Sequence, residues 1–317
     1  MLALTPRERK VSFELKEKEF LTKAAKRCLK EEADAALHFL KEAQKSKKTS
    51  EQDDLIHEIR KSLKKVRAVL RLIRSEIGEA VYKNENTLIR DAGRKISKIR
   101  DSHVLVETLV GLGKENKEIK RVKAYKNIHD HLLRSRNAAR HEIFLNPDVL
   151  KSVCSAICEF KVRVEKWKLP RNNWGSIQTN VRDIYKAGRK ALKAAMKDPS
   201  VEKLHELRKQ VKYLRHILEV FEPVWPALLK NVEKETHRLA DLLGEDHDLA
   251  ILKQTVLDQV KECDLGPQSR VLSRQIEPKR KALETKAISL AKRVYTDRPK
   301  EFVNQLKSYW AVWQAES

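Results

Sequence analysis

The sequence predicts an all-α protein, and three observations carry that expectation. Only eight Gly and nine Pro punctuate 317 residues. Ala, Leu, Lys, Arg and Glu, all strong helix formers, are abundant. Apolar residues recur at steps of three and four, and nowhere alternate as in a half-buried strand. A chain of this length has room for two domains and a sizeable core. Short connections favour antiparallel neighbours, so the coarse architecture is two helical bundles in tandem.

Phe13, Phe20, Leu21, Ala24, Ala25, Cys28, Leu29, Ala36, Leu37 and Leu40 line one face of a helix expected over 12–46. The polar run Lys47 to Asp54 ends it, and Thr49, Ser50 and Asp53 are candidate N-caps for the next. That second helix is expected over 52–82, broken at Asn84-Glu85-Asn86. A third runs to about 110, stopped by Gly111-Leu-Gly113, and a fourth covers about 115–145, stopped by Asn146-Pro147. Another helix follows at 150–167. Lys168 to Gly175 is the clearest linker. Beyond it lie helices at 175–197, 200–221, 224–262, 268–295 and 298–314, set off by Asp198-Pro199, Glu222-Pro223, Gly266-Pro267 and Arg298-Pro299.

Charge narrows the function. Lys and Arg number 68 against 45 Asp and Glu, a net charge of +23. Such an excess repels itself in a compact protein, and its ordinary uses are binding nucleic acid, an acidic membrane surface or another polyanion. On net charge alone, nucleic acid leads. No stretch of about 18 apolar residues is present, so no span of a membrane is expected. Met1 to Lys10 lacks the apolar run of a signal peptide. A soluble, intracellular protein is expected, cytoplasmic or nuclear; Lys45-Ser-Lys-Lys48 reads more simply as a solvated loop than as a nuclear address. Cys28, Cys154, Cys158 and Cys263 form no CxxC, and no His pair stands near them at zinc-finger spacing, so reduced, mostly buried thiols and no metal are expected.

A duplication then locates the charge. The first copy reads Leu55-Ile-His57-Glu-Ile-Arg60-Lys61-Ser-Leu-Lys64-Lys65-Val-Arg67, and the second Lys203-Leu-His205-Glu-Leu-Arg208-Lys209-Gln-Val-Lys212-Tyr213-Leu-Arg215. The pairs His57/His205, Arg60/Arg208, Lys61/Lys209, Lys64/Lys212 and Arg67/Arg215 keep one constant offset. So do the apolar pairs Ile59/Leu207, Leu63/Val211, Val66/Leu214 and Leu70/Leu218. Downstream, Ile99-Arg100-Asp101 and Asp246-His247-Asp248 form a second, looser pair, its offset one residue shorter.

At about 100° per residue, with His57 at zero, Lys61, Lys64, Arg71, Arg60 and Arg67 spread from about 40° round to about 280°, while Ile59, Leu63, Val66 and Leu70 fall between about 180° and 240°. Each copy therefore carries an apolar stripe and, on another face, a basic one. From 57 to 74 the only acid is Glu58. A surface stripe built for stability would intersperse acids at i+4, because like charges there cost a few tenths of a kcal/mol per pair. A bound anion is the alternative source of neutralisation. Arg grips phosphate oxygens bidentately and Lys acts as a mobile point charge, so a mixed stripe suits a repeating phosphate chain. His57 and His205 stand at the stripe starts, as phosphate donors or as locally packed helix-start residues. No acidic metal-ligand cluster accompanies them, which argues against phosphoryl-transfer chemistry.

H-x-x-R-K-x-x-K-x-x-R twice, each followed by an Arg-Asp or His-Asp step, resembles the CHAD family, the conserved histidine α-helical domain. The resemblance spans about 15–310. It implies two four-helix bundles related by pseudo-twofold symmetry around a basic groove or pore that binds inorganic polyphosphate, with 1–147 as the first repeat and 148–317 as a connecting helix and the second. Carried over, it implies one wall of His57, Arg60, Lys61, Lys64, Lys65, Arg67 and Arg71, and another of His205, Arg208, Lys209, Lys212, Tyr213 and Arg215. Arg100 and His247 match the downstream basic position, Arg182 and Arg189 are secondary contacts, and Lys23 and Arg27 take the same place in the first bundle. Three positions depart from the pattern: Tyr213 where Lys65 has a base, His103 where an acid often follows Arg-Asp, and His247-Asp248 for Arg-Asp.

Relatives often carry a triphosphate tunnel domain marked by ExExK. This sequence has no ExExK, and Glu233-Lys-Glu235-Thr-His237 is its nearest approach. GxxxxGK[ST], GxGxxG, HExxH and GxSxG are absent as well. The expectation is a stand-alone, non-catalytic polyphosphate binder without a cofactor. The alternatives are a nucleic-acid or general polyanion binder and an enzyme of phosphate metabolism that uses the histidines. Single-strand binders interleave aromatics with the basic track, and here Tyr213 alone does so.

Overall fold

A computed structural model describes residues 13–121, 123–169, 173–262 and 266–316. The Met1–Lys10 segment and Cys263 lie outside these. Thirteen helices and two 3₁₀ turns, with no strand, make up the described residues. The helices are α1 Leu21–Lys45, α2 Thr49–Leu72, α3 Arg74–Ile77, α4 Glu79–Lys95, α5 Ser97–Glu115, α6 Lys117–Arg121, α7 Lys123–Phe144, α8 Pro147–Lys166, α9 Gln178–Lys197, α10 Val201–Phe221, α11 Pro226–Glu262, α12 Gly266–Val294 and α13 Pro299–Glu316. The all-α expectation holds, and none of these helices is long and apolar enough to cross a membrane.

Several boundaries differ from the periodicity, each for a physical reason. Residues 13–20 are not helical. They form a strap across α10, joined to it by the bond from Leu15 N–H to the Val220 carbonyl at 2.9 Å. Phe13 is buried edge-on against His216, so its place in the apolar pattern came from strap packing and not from a helix face. Arg27 of α1 ties the strap down through Glu19 and the Glu14 carbonyl.

The second helix ends at Leu72, not near 82, and the chain turns at Gly78, whose φ of +81° favours glycine. Asn84 to Asn86 do not break α4, because tertiary partners hold two of their side chains. Glu85 is buried under a bidentate pair from Arg163 at 2.6 and 3.1 Å, and Asn86 accepts from Arg67 at 2.9 Å. Gly111 and Gly113 lie inside α5 and stop nothing. Gly113 instead makes room, since a Cβ there would stand 2.9 Å from Lys120 and from the Tyr125 hydroxyl. The real stop is Asn116, extended at φ −131°, whose side chain accepts from the Glu118 N–H. Thr49, Ser50 and Asp53, expected as caps, lie inside α2, whose N-cap is Lys48 without a side-chain cap; Asn146 caps α8 ahead of Pro147, and Ser200 caps α10.

Two apolar cores form, and each draws on both halves of the chain. The larger gathers α1, α2, α4 and α8 with α9, α10, α13 and the nearer parts of α11 and α12. The smaller joins Val106, Leu109, Ile128 and Leu132 of α5 and α7 to Leu249, Leu252, Ile276 and Leu283 of α11 and α12. Burying α2 and α10 on their Ile, Leu and Val stripes turns the opposite, basic faces into a common space. Cys28 is buried, but Cys154 is half-buried and Cys158 exposed, so burial of the thiols holds fully only for Cys28.

Candidate polyanion site

The basic faces of α2 and α10 meet in one cluster. Lys64 and Lys212, the aligned central lysines, each feel the other wall. Burial first, then Arg60 and Arg208, pushes Lys64 down to about 8. Burial, then Arg208 and Lys64, pushes Lys212 down to about 7. Lys64 keeps a solvent-accessible side chain between the two basic faces. Neither lysine has an ion pair among the described residues.

Two arginines flank the lysines. Arg60 reaches Asp101 of α5 at 3.1 Å, and its other terminal nitrogen is buried without a hydrogen-bond partner. Arg208 lies against α11 at Gly244, where a Cβ would stand 3.2 Å from its guanidinium, and its Nε is buried without a partner. Burial lowers the pKa of both guanidinium groups. From α11, His247 faces His205 with ring centroids 4.6 Å apart, and its Nδ1 is buried without a partner. Burial, Arg208 and His205 hold His247 down to about 4. Asp248 shifts upward, mainly by burial, with Arg208 and Lys212 opposing. A buried donor with no acceptor costs about 1–3 kcal/mol. Two such donors, in Arg60 and Arg208, and the unpartnered His247 Nδ1 sit in one cation cluster.

The rim is different. His57 and His205 are exposed, and both have lowered pKa values, first through partial burial and then through neighbouring cations. Lys61 pairs with Glu58 at 3.3 Å and Lys209 with Glu206, so acids do sit on the basic helices, at i−3. Arg100 approaches Glu107 at 3.4 Å.

Other expected site residues have internal partners. Lys65 lies between Glu219 at 2.6 Å and Glu32 at 3.4 Å, 4.4 Å above the Phe13 ring. Arg67 holds Asn86, and Arg215 holds Glu233 of α11 at 2.7 Å. Arg71 stacks 4.1 Å from the centroid of buried Tyr213. Arg189 donates to the Tyr295, Thr296 and Asp297 carbonyls and so caps the end of α12. Arg182 is exposed, its nearest acid Asp183 at 3.9 Å, and Lys23 is exposed.

Asp101, Asp248 and Gly244 are the site residues that the reading of basic stripes did not assign. The aligned Asp101/Asp248 pair was the available signal. Gly244 gave none. Among the described residues no three His, Cys, Asp or Glu side chains gather as a metal site.

The family model described as CHAD domain matches residues 20–257, most of the chain. The chain belongs to the CHAD family. A solved structure, the crystal structure of the CHAD domain from the plant Ricinus communis, superposes with a TM-score of 0.58 at 16% identity. That alignment covers 95% of this chain and 94% of the plant one. At that identity the likeness speaks to the CHAD fold alone. No curated protein matches.

Proposed function

We propose that this CHAD protein binds inorganic polyphosphate, without catalysis, in the channel between α2 and α10. The observation that carries the reading is the central tier of Arg60, Lys64, Arg208 and Lys212, of which only Arg60 has an ion pair among the described residues, and which holds unsatisfied buried donors. An anion chain passing through would supply the missing acceptors and relieve the mutual repulsion. The two guanidinium groups offer directed donors and the two lysines mobile charge. His57, His205, Lys61 and Lys209 at the rim would follow the chain outward. Lys65, Arg67, Arg71, Tyr213, Arg215 and Arg189 would act one step back, by holding the walls in place. The 1–147 and 148–317 repeats would each contribute one wall. A compartment that holds polyphosphate, cytoplasm, nucleus or granule, is the expected location.

Nucleic acid is the second reading, favoured by the net charge of +23. Against it, the central tier offers no exposed aromatic for base stacking; Tyr213 is buried and occupied by Arg71. Competition at fixed salt separates the two. Long-chain polyphosphate should displace a labelled duplex or single strand at equal phosphate concentration, and the reverse result would sink the polyphosphate reading. Incubation with polyphosphate and a divalent metal should leave chain length unchanged. Shortening that disappears in His57→Ala and His205→Ala would replace the binding role by an enzymatic one.

A further inference from the structure

We infer that the site takes up protons as it binds its anion, so that falling pH tightens binding; this rests on the polyphosphate reading of the same channel. The geometry comes first. Lys212 lies within reach of both Lys64 and His247, none of the three has an ion pair among the described residues, and His247 presents a buried, partnerless Nδ1 beside His205. Their surroundings are mostly cationic. Lys212 faces Arg208 on its own helix, Lys64 on α2, and Asp241 and Asp248 on α11. Lys64 faces Arg60 on its own helix, Arg208 on α10, and Arg100 and Asp101 on α5. His247 faces His205, Arg208 and Lys212 on α10, and Arg280 on α12. Arg280 is already held by Asp246 at 2.9 Å and Glu284 at 3.5 Å. The residue aligned with His247 on the first wall is Arg100, so a histidine stands at this downstream position on the second wall only.

The free protein therefore holds Lys64 at about 8, Lys212 at about 7 and His247 at about 4, below their ordinary protonation range, and His57 and His205 at the rim are lowered with them. A dense anion reverses the local field and favours the charged form of each. The sign follows from linkage. Above about pH 7, Lys212 and then Lys64 are increasingly neutral in the free protein and must gain a proton to meet the chain, so affinity falls as pH rises. Below the ordinary histidine value of 6.5, His247 gains its proton in the complex before it does in the free protein, so affinity rises again toward about 4. Asp248, already shifted up, adds to this lower window. Internal phosphates of a long chain keep their charge throughout, whereas terminal groups titrate near about 6, which makes a long chain the proper probe.

The test is calorimetry with long-chain polyphosphate near pH 8, at constant ionic strength, in buffers of different ionisation enthalpy. The full-length protein should take up on the order of one proton per site. The double variant Lys64→Arg/Lys212→Arg, whose bases cannot titrate, should bind with near-zero uptake and a flat affinity between about pH 7 and 9. His247→Asn should separately reduce the rise in affinity between about pH 6.5 and 5, and adding His57→Asn and His205→Asn should remove the remainder, which keeps the test alive if the double variant fails to fold. Binding by the wild type without proton uptake, or undiminished uptake in the arginine variant, overturns the inference and leaves polyphosphate binding standing. Absence of binding at every pH overturns both, and is a different result.

Discussion

The basic faces of α2 and α10, with the α5 and α11 residues that flank them, form the two walls of the proposed channel; they share their cations and differ in their counter-charges. On the first wall Arg60 meets Asp101 and Arg100 approaches Glu107. On the second, Arg208 and His247, at the aligned positions, have no such partner among the described residues and leave buried nitrogens unsatisfied. The outer positions differ as well: Lys65 is locked between Glu32 and Glu219, whereas its counterpart Tyr213 is a buried ring under Arg71. A duplication can therefore keep a charge pattern in sequence while the two copies reach different electrostatic states. On the first wall Arg60 and Arg100 meet acids before a ligand arrives, while Lys64 and one Arg60 nitrogen do not, and the second wall gains more from a ligand. If that is right, equivalent substitutions must have unequal effects.

The largest effect belongs to Lys65, and it falls on stability. Removing it in Lys65→Ala strands two carboxylates inside the α1–α2–α10 contact. Breaking a buried pair on one side costs about 3–5 kcal/mol. The aligned Tyr213→Ala should cost about as much in lost packing but show no acid signature. Burial acts to raise Glu219, yet bonds from His216 and Lys65 bring it to about 2, well below its ordinary 4.5. A depressed carboxylate stabilises the fold above its unfolded value and loses that as pH falls through the folded one. The Lys65 deficit, read by chemical denaturation, should then shrink between about pH 4.5 and 2. A deficit that stays constant there would mean the pair is not what Lys65 contributes.

Next comes Lys212→Glu, which places an anion in the channel centre. Affinity for long-chain polyphosphate should drop by about 100-fold or more, on the order of 3 kcal/mol, with helicity by circular dichroism intact. In the absence of ligand the same variant should be more stable than wild type near neutral pH, because it neutralises Arg208 and Lys64. A destabilised free protein would show that Lys212 supports the fold.

The comparison is sharpest between Arg208→Ala and Arg60→Ala. Arg208→Ala removes a buried cation that the fold does not satisfy, so it should raise thermal stability slightly and weaken binding about tenfold, roughly 1.4 kcal/mol. Arg60→Ala breaks its pair with Asp101 and should weaken binding by less, without gain in stability. Equal losses in the two variants would abolish the distinction between the walls.

These contrasts mark where the sequence was readable. The all-α class and the duplicated stripes with their apolar frame were legible, because helical periodicity is local and a repeat is visible by eye. The helix breaks at 84–86 and 111–113 were misread for one reason: Glu85, Asn86 and Gly113 serve contacts with Arg163, Arg67, Lys120 and Tyr125, far along the chain or across a turn. The counter-charges were hidden in the same way. Counting acids between 57 and 74 found only Glu58, while Glu32, Asp101 and Glu219 arrive from α1, α5 and α10. A stripe shows which cations share a face; only the fold shows which of them are already neutralised.

The smallest effect is expected at the rim, and it separates the channel from the surface at large. Lys61 and Lys209 are about half exposed, at 50% and 47%, and each is paired with an acid of its own helix. Exposed pairs contribute about 0.2–1 kcal/mol and are screened by salt. Charge reversal of both, Lys61→Glu/Lys209→Glu, should weaken binding severalfold at low salt, by less at high salt, with helicity unchanged. Alanine at both should do less still, because it frees Glu58 and Glu206 without adding charge. Titration of each variant across a salt series reads the difference, since each lost phosphate contact lowers the slope of log affinity against log salt by a little under one. Loss of all binding in the alanine pair would move the site out of the central tier and onto the exposed faces of α2 and α10, where the two walls are alike.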